Sequence, residues 1–179
     1  MNNNIIDTSI ESKKISPRLT YFSRGESNAI VDVAPPIFIL PFVMNAQNTN
    51  IQYLFLHEYT DMFEKLKTTV LDISPYNFDS NIDVIRLFIS KYFSIPTTRI
   101  EKDRIFFLGE TDVNISLFKS EPTSYAFNLT GLIQDDEVKV KLEDNDRMVR
   151  VPYYDIMKGH YNDVMTMATT FQLMSYFML

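Results

Sequence analysis

Apolar positions along this chain fall into short alternating runs in the first half and longer stripes later. Residues 18–24 (RLTYFSR) and 28–33 (NAIVDV) have the β-branched and aromatic character of short strands, with a turn at Gly25 between them. Pro35 and Pro36 interrupt the chain. The continuous apolar run that follows, 37–45 (IFILPFVMN), predicts a buried strand. A polar turn at 46–50 leads into 51–59 (IQYLFLHEY), its hairpin partner. Residues 61–69 are mixed and read as a helical turn or a loop, and 70–74 (VLDIS) as a short strand ended by Pro75.

Helical spacing appears next. Behind Asp79 or Ser80 as cap, Ile82, Ile85, Leu87, Phe88, Ile89 and Tyr92 form a broad apolar stripe, which predicts a helix near 80–93. Strands are expected at 104–110, 124–132, 139–143 and 148–154, and a strongly apolar helix at 162–178 with Asn162 as its cap. No repeat and no linker is visible. The pattern is that of a polar arm over 1–15 and one domain over 16–179.

Composition narrows the chemistry. Apolar residues make up 45% and charged residues 22% of 179, the balance of a folded domain with a real core. A formal net charge of -6 argues against a broad nucleic-acid footprint, which needs clustered Lys and Arg. Without cysteine there are no disulfides, thiolate zinc sites or cysteine nucleophile. No apolar run approaches the roughly 20 residues that span a bilayer. A soluble, cytoplasmic protein with no membrane partner is therefore expected. The scarcity of Gly leaves little room for phosphate-cradling loops, and neither a Gly-x-Ser-x-Gly elbow nor a Walker loop occurs.

Four stretches carry a further, collinear pattern. IFILPFVMNAQNTNIQYLFLHEYT (37–60) pairs two strands around a Pro and ends near a tyrosine. LDISPYNFDSNIDVIRLFISKYFSI (71–95) places a helix after a short strand. FFLGETDVNISLFKSEPTSYAFNLTGL (106–132) runs through a Gly, a Glu and a Tyr-Ala strand to Leu-Thr. RVPYYDIMKGHYNDVMTMATTFQLM (150–174) closes with a short helix, a Gly, an Asp and a Thr- and Ala-rich helix. In this order, over about residues 30–179, they resemble the Nudix hydrolase superfamily in its ADP-ribose pyrophosphatase-like branch. The resemblance implies an α/β/α sandwich with a mixed central sheet.

It also implies a box on the first helix, where glutamates one and four residues apart share one side and hold divalent cations against a pyrophosphate. Here Arg86 aligns with the box arginine, and the acidic positions become Leu87, Ser90 and Lys91. The box glycine becomes Phe93, and the upstream glutamate position falls near Phe78. Residues 84–95 contain no Asp or Glu, so no shift of register restores them. Asp79 and Asp83 precede Arg86, where the helix dipole favours acids. The family's Gln-Tyr-Arg ends in Thr60, its Ser-Pro-Gly becomes Asn114-Ile115-Ser116, and its downstream glutamate is matched by Glu121. On this reading the chain binds no metal or other cofactor and has no catalytic residue. It is expected to be a non-enzymatic, degenerate Nudix-fold protein.

Other constellations are thin. His57 and His160 are too few for a histidine metal centre, and the acidic runs 134–137 and 143–146 miss the calcium-loop spacing. Phe177, Met178 and Leu179 make a greasy end and predict an intermolecular contact. Three functions follow as expectations. The first is a structural or protein-interaction subunit with a protein partner or a second copy, of bacteriophage flavour and with a place in a virion among its options. The second is a sensor of nucleotide or ADP-ribose-like ligands through Tyr59, Arg86 and Glu121. The third is a divergent Nudix pyrophosphohydrolase using displaced acids such as Asp79, Asp83 and Glu121.

Overall fold

A computed structural model describes residues 10–16, 19–24, 28–33, 35–47, 49–61, 63–73, 80–111, 113–115, 118–133, 147–158, 161 and 163–178. The strand expected at 139–143, the acidic runs, Phe78, Asp79, Gly25, His160 and Asn162 lie outside them. In chain order the strands begin with β1 (Ile10–Ser16), β2 (Leu19–Arg24) and β3 (Asn28–Val33). They continue with β4 (Ile37–Met44), β5 (Ile51–Thr60), β6 (Leu66–Thr69) and β7 (Leu71–Ile73), then helix α1 (Asn81–Phe93) and β8 (Ile105–Glu110). Short strands β9 (Val113–Ile115) and β10 (Phe118–Ser120) precede β11 (Thr123–Asn128) and β12 (Arg147–Pro152), and helices α2 (Tyr153–Met157) and α3 (Val164–Met178) close the chain.

By contact the chain forms two compact units. The first joins 1–36 to 110–122. Its sheet runs β1-β2-β3-β10-β9, because β10 returns to pair in parallel with β3 at Val31 and Asp32. The polar arm expected over 1–15 overlaps β1, whose backbone pairs antiparallel with β2 from Ile10↔Arg24 onwards.

The second unit, 37–109 with 123–179, holds a mixed sheet ordered β12-β5-β4-β11-β8. Strands β4 and β11 run parallel, whereas β4 with β5 and β5 with β12 run antiparallel. Period-two alternation along β4 sorts the core into two layers. Ile37, Ile39 and Val43 pack with Val84, Ile85, Ile89 and Phe93 of α1. Leu40, Phe42 and Met44 pack on the opposite face with Ile156 of α2 and Leu173 of α3. This is an α/β/α sandwich.

Pro41 sits in the middle of β4 without breaking it. On the side where it lacks an N–H, the partner of β4 changes from β7, which ends opposite Ile39, to β5, which begins opposite Phe42. Strands β4 and β5 thus diverge, and the β6–β7 segment fills the gap by pairing with β5 and then β4. At the pivot, buried Val70 belongs to neither strand, and its N–H donates to the Thr166 hydroxyl of α3 at 2.7 Å. The segment read as a helical turn or loop at 61–69 therefore ends in strand β6.

Candidate functional site

Helix α1 carries the positions that the family resemblance singles out. Its inner side is set by Val84, Ile85, Ile89 and Phe93, all buried. The outer stripe is Asp83, Leu87, Ser90 and Lys91, spaced three and four residues apart, with Asp83, Leu87 and Lys91 exposed. Leu87, Ser90 and Lys91 do share one side, as the box requires. That donor set does not suit a divalent cation: it offers a hydrocarbon, a neutral hydroxyl and an ammonium. Among the described residues no three His, Asp or Glu side chains group where they could hold a metal ion. Asp83 is the acid of this stripe, one turn before Leu87, its side chain 54% exposed. The four-residue step between them spans about 6 Å along the axis.

Arg86 stands beside this stripe but is committed elsewhere. Its Nε donates to the Ile100 carbonyl at 3.0 Å and its Nη2 to that of Thr97 at 3.1 Å, tying α1 to the 3-10 turn that follows. Nη1 lies 3.8 Å from the Asp83 carboxylate.

On the α3 side of the sheet, a cleft of about 490 Å³ opens between the ends of β5 and β6 and the residues entering α3. Its walls include Tyr59, Lys67, Thr68, Tyr161, Asp163 and Met165. Tyr161 and Met165 also pack on the core layer beneath α3. Asp163 closes the helix: its Oδ2 accepts from the Thr166 N–H at 2.7 Å, the Thr166 hydroxyl at 2.8 Å and the Thr69 hydroxyl at 3.0 Å. The helix was expected to be capped by Asn162; the capping hydrogen bonds come from Asp163. Burial raises the Tyr161 hydroxyl above its usual 10.0, and the charges of Asp155 and Glu58 add to the rise. Glu58 is ion-paired with Arg147, and Asp155 lies 4.0 Å from Lys158.

Within the second unit Tyr59 and Arg86 lie on opposite sides of the sheet. Tyr59 lines the α3-side cleft, Arg86 sits on α1 across the sheet, and Glu121, exposed, belongs to the other unit. Phe177 turns inward, its ring 5.4 Å from that of Phe42 and 5.5 Å from that of Phe106, and still keeps 38% of its surface exposed. Met178 ends α3, and Leu179 lies outside the described residues.

No family model matches the chain, and no curated protein matches it in sequence. Solved structures do. An ADP compounds hydrolase superposes over 94% of this chain and 91% of its own, with a TM-score of 0.58 at 12% identity. The fold is the Nudix fold. A NUDIX hydrolase of Listeria monocytogenes str. 4b F2365 superposes over 78% of this chain and 90% of its own, with a TM-score of 0.57 at 11% identity.

Two Nudix-fold hydrolases overturn the expectation that this chain is not an enzyme. That expectation equated loss of the box glutamates with loss of activity, which the fold itself does not require. The likeness lends no support to an inactive structural role, a bacteriophage origin or a place in a virion. Among the described residues no helix is long and apolar enough to cross a membrane.

Proposed function

We propose that the chain is a divergent Nudix-fold hydrolase that cleaves the phosphoanhydride of a nucleoside-diphosphate compound. The observation that carries this reading is Asp83, an exposed carboxylate on the same stripe of α1 as the altered box positions, displaced by one turn. The hydrolase names of the fold's neighbours support it, one of them an ADP compounds hydrolase. In this scheme water attacks phosphorus, the anhydride P–O bond breaks, and Asp83 takes the proton of the attacking water. Lys91, two turns further along the stripe, supplies positive charge to the phosphate oxygens. No step runs through a cation on Leu87, Ser90 and Lys91.

The test is a substrate screen. Phosphorus NMR of the full chain with ADP-ribose and related ADP compounds is expected to show the diphosphate signals replaced by phosphomonoesters. Absence of turnover across the series, with and without added magnesium, refutes the reading.

A protein contact through α3 is proposed beside this activity. Helix α3 has no charged residue along its length, and Val164 and Phe171 are 74% and 49% exposed. Light scattering on the full chain and on Phe171→Glu tests it: a species heavier than a monomer that dissociates in the variant supports the contact, and an unchanged mass of both opposes it.

A further inference from the structure

The sheet of the second unit ends in two unlike edge strands. At one edge β12 carries Arg147, Arg150 and Pro152, the charges and the missing N–H that keep an edge from pairing with another chain. At the other edge β8 reads Ile-Phe-Phe-Leu-Gly-Glu, with its one charge at the last residue. Among the described residues no strand pairs with its outer side, so its outward N–H and C=O groups can take a further strand. Both faces of this edge are aromatic. Phe107 lies on the α1 side, half-exposed, its ring 5.4 Å from that of Tyr125. Phe106 and Leu108 alternate onto the α3 side. There the rings of Tyr176 and Phe177 stand 5.4 Å and 5.5 Å from that of Phe106, with much of their own surface exposed. An exposed apolar surface that straddles a strand edge is covered on both sides at once by a strand that joins the sheet and is itself apolar on both faces. This chain presents such a strand in β8 itself.

We infer that β8 pairs antiparallel with β8 of a second copy about a two-fold axis at Phe107, joining the two sheets into one. In that register Phe107 faces Phe107, and Phe106 faces Leu108. The two Phe107 side chains, with Cβ atoms about 5 Å apart, link the Tyr125 rings of the two copies into one aromatic row. Glu110 lies three residues from the axis. The two carboxylates therefore stand about 20 Å apart, well beyond the Debye length of about 8 Å at physiological salt. Two copies, each of net charge -6, thus meet on an edge with no like charges opposed. The inference rests on neither the hydrolysis nor the α3 surface at Val164 and Phe171.

Sedimentation velocity and amide hydrogen exchange of the full chain over a concentration series test it. Monomer is expected to give way to dimer as concentration rises, with exchange of the β8 amides slowing in step and that of the β12 amides unchanged. Phe107→Lys, at an exposed position, sets two ammonium groups opposite each other on the axis and is expected to weaken the dimer about tenfold or more. Phe171→Glu is expected to keep the β8 protection. A monomer at every concentration, a dimer that Phe107→Lys leaves unchanged, or β8 exchange indifferent to concentration overturns the inference. So does loss of the β8 protection in Phe171→Glu, which assigns the contact to α3. Circular dichroism verifies that each variant folds. If Phe107→Lys does not fold, the concentration dependence of β8 exchange in the parent decides alone.

Discussion

Thr166 ties α3 to the β6–β7 pivot through a single hydroxyl. It accepts from the Val70 N–H at the β6–β7 pivot and donates to Asp163, and it is fully buried. Replacing it by valine keeps the shape but leaves a buried N–H without an acceptor. Thr166→Val is expected to lower unfolding free energy by about 2–3 kcal/mol, read as a lower urea midpoint at unchanged slope. Tyr161 gives a second residue-scale prediction. Its proton is held more tightly in the folded state, so the unfolded chain loses that proton first as pH rises. The stabilisation is complete below the usual 10.0 and declines as pH climbs from there through the raised folded value. In Tyr161→Phe that part of the alkaline loss is absent, so the melting temperature of the variant rises relative to the parent's as pH climbs past 10.0. A constant difference across pH 8–11, a range chosen to bracket the ordinary tyrosine value of about 10, contradicts it. Neither residue stood out in the sequence. Thr166 was one of several threonines in an apolar helix, and its partner Val70 lies 96 positions away.

Elements were legible where one period ran long enough. The β4–β5 hairpin, α1 and α3 follow from apolar runs and stripes, and the structure places them within a few residues of those patterns. Strand β6 (LKTT) was not legible, since its positions are exposed or half-buried and its place depends on the divergence of β4 from β5. The cleft was illegible for a related reason: its walls come from residues 59, 66–69, 161 and 163–165, joined only by the fold. Asp83 was visible, but its acid read equally well as a charge favoured by the helix dipole. At the sheet's edge β8 approaches α3 closely. Gly109 has φ +143, and a Cβ there would meet Gln172 Nε2 at 3.3 Å. Gly109→Ala is expected to cost about 1–3 kcal/mol from backbone strain alone. A melting temperature equal to the parent's contradicts that strain. The far end of α3 is held by rings, Phe177 on Phe42 and Phe106, and Tyr176 at 5.4 Å from Phe106. Phe177→Ala is expected to destabilise the fold by about 1.5–3 kcal/mol, and a neutral effect on thermal unfolding contradicts this packing.

At the scale of the whole molecule, an α/β/α unit with Nudix-fold neighbours carries helix α1 on one side of its sheet and a cleft on the other. The chain also returns through 110–122 to a second sheet built on β1, β2 and β3. The collinear resemblance over about 30–179 pointed to the fold correctly, because spacing and order of elements survive loss of motif residues. The hydrolases among the fold's neighbours overturn the step from missing glutamates to no enzyme; a reaction is set by the groups that face the substrate, not by one pattern of them. The central claim is that Asp83 performs the proton transfer of a phosphoanhydride hydrolysis. It is tested most directly by comparing kcat for ADP-ribose cleavage in the parent and in Asp83→Asn, which is nearly the same size and sits on an exposed helix position. The expected result is a fall in kcat of about 10²–10⁴-fold at unchanged melting temperature. A variant that turns over at the parent's rate contradicts the claim.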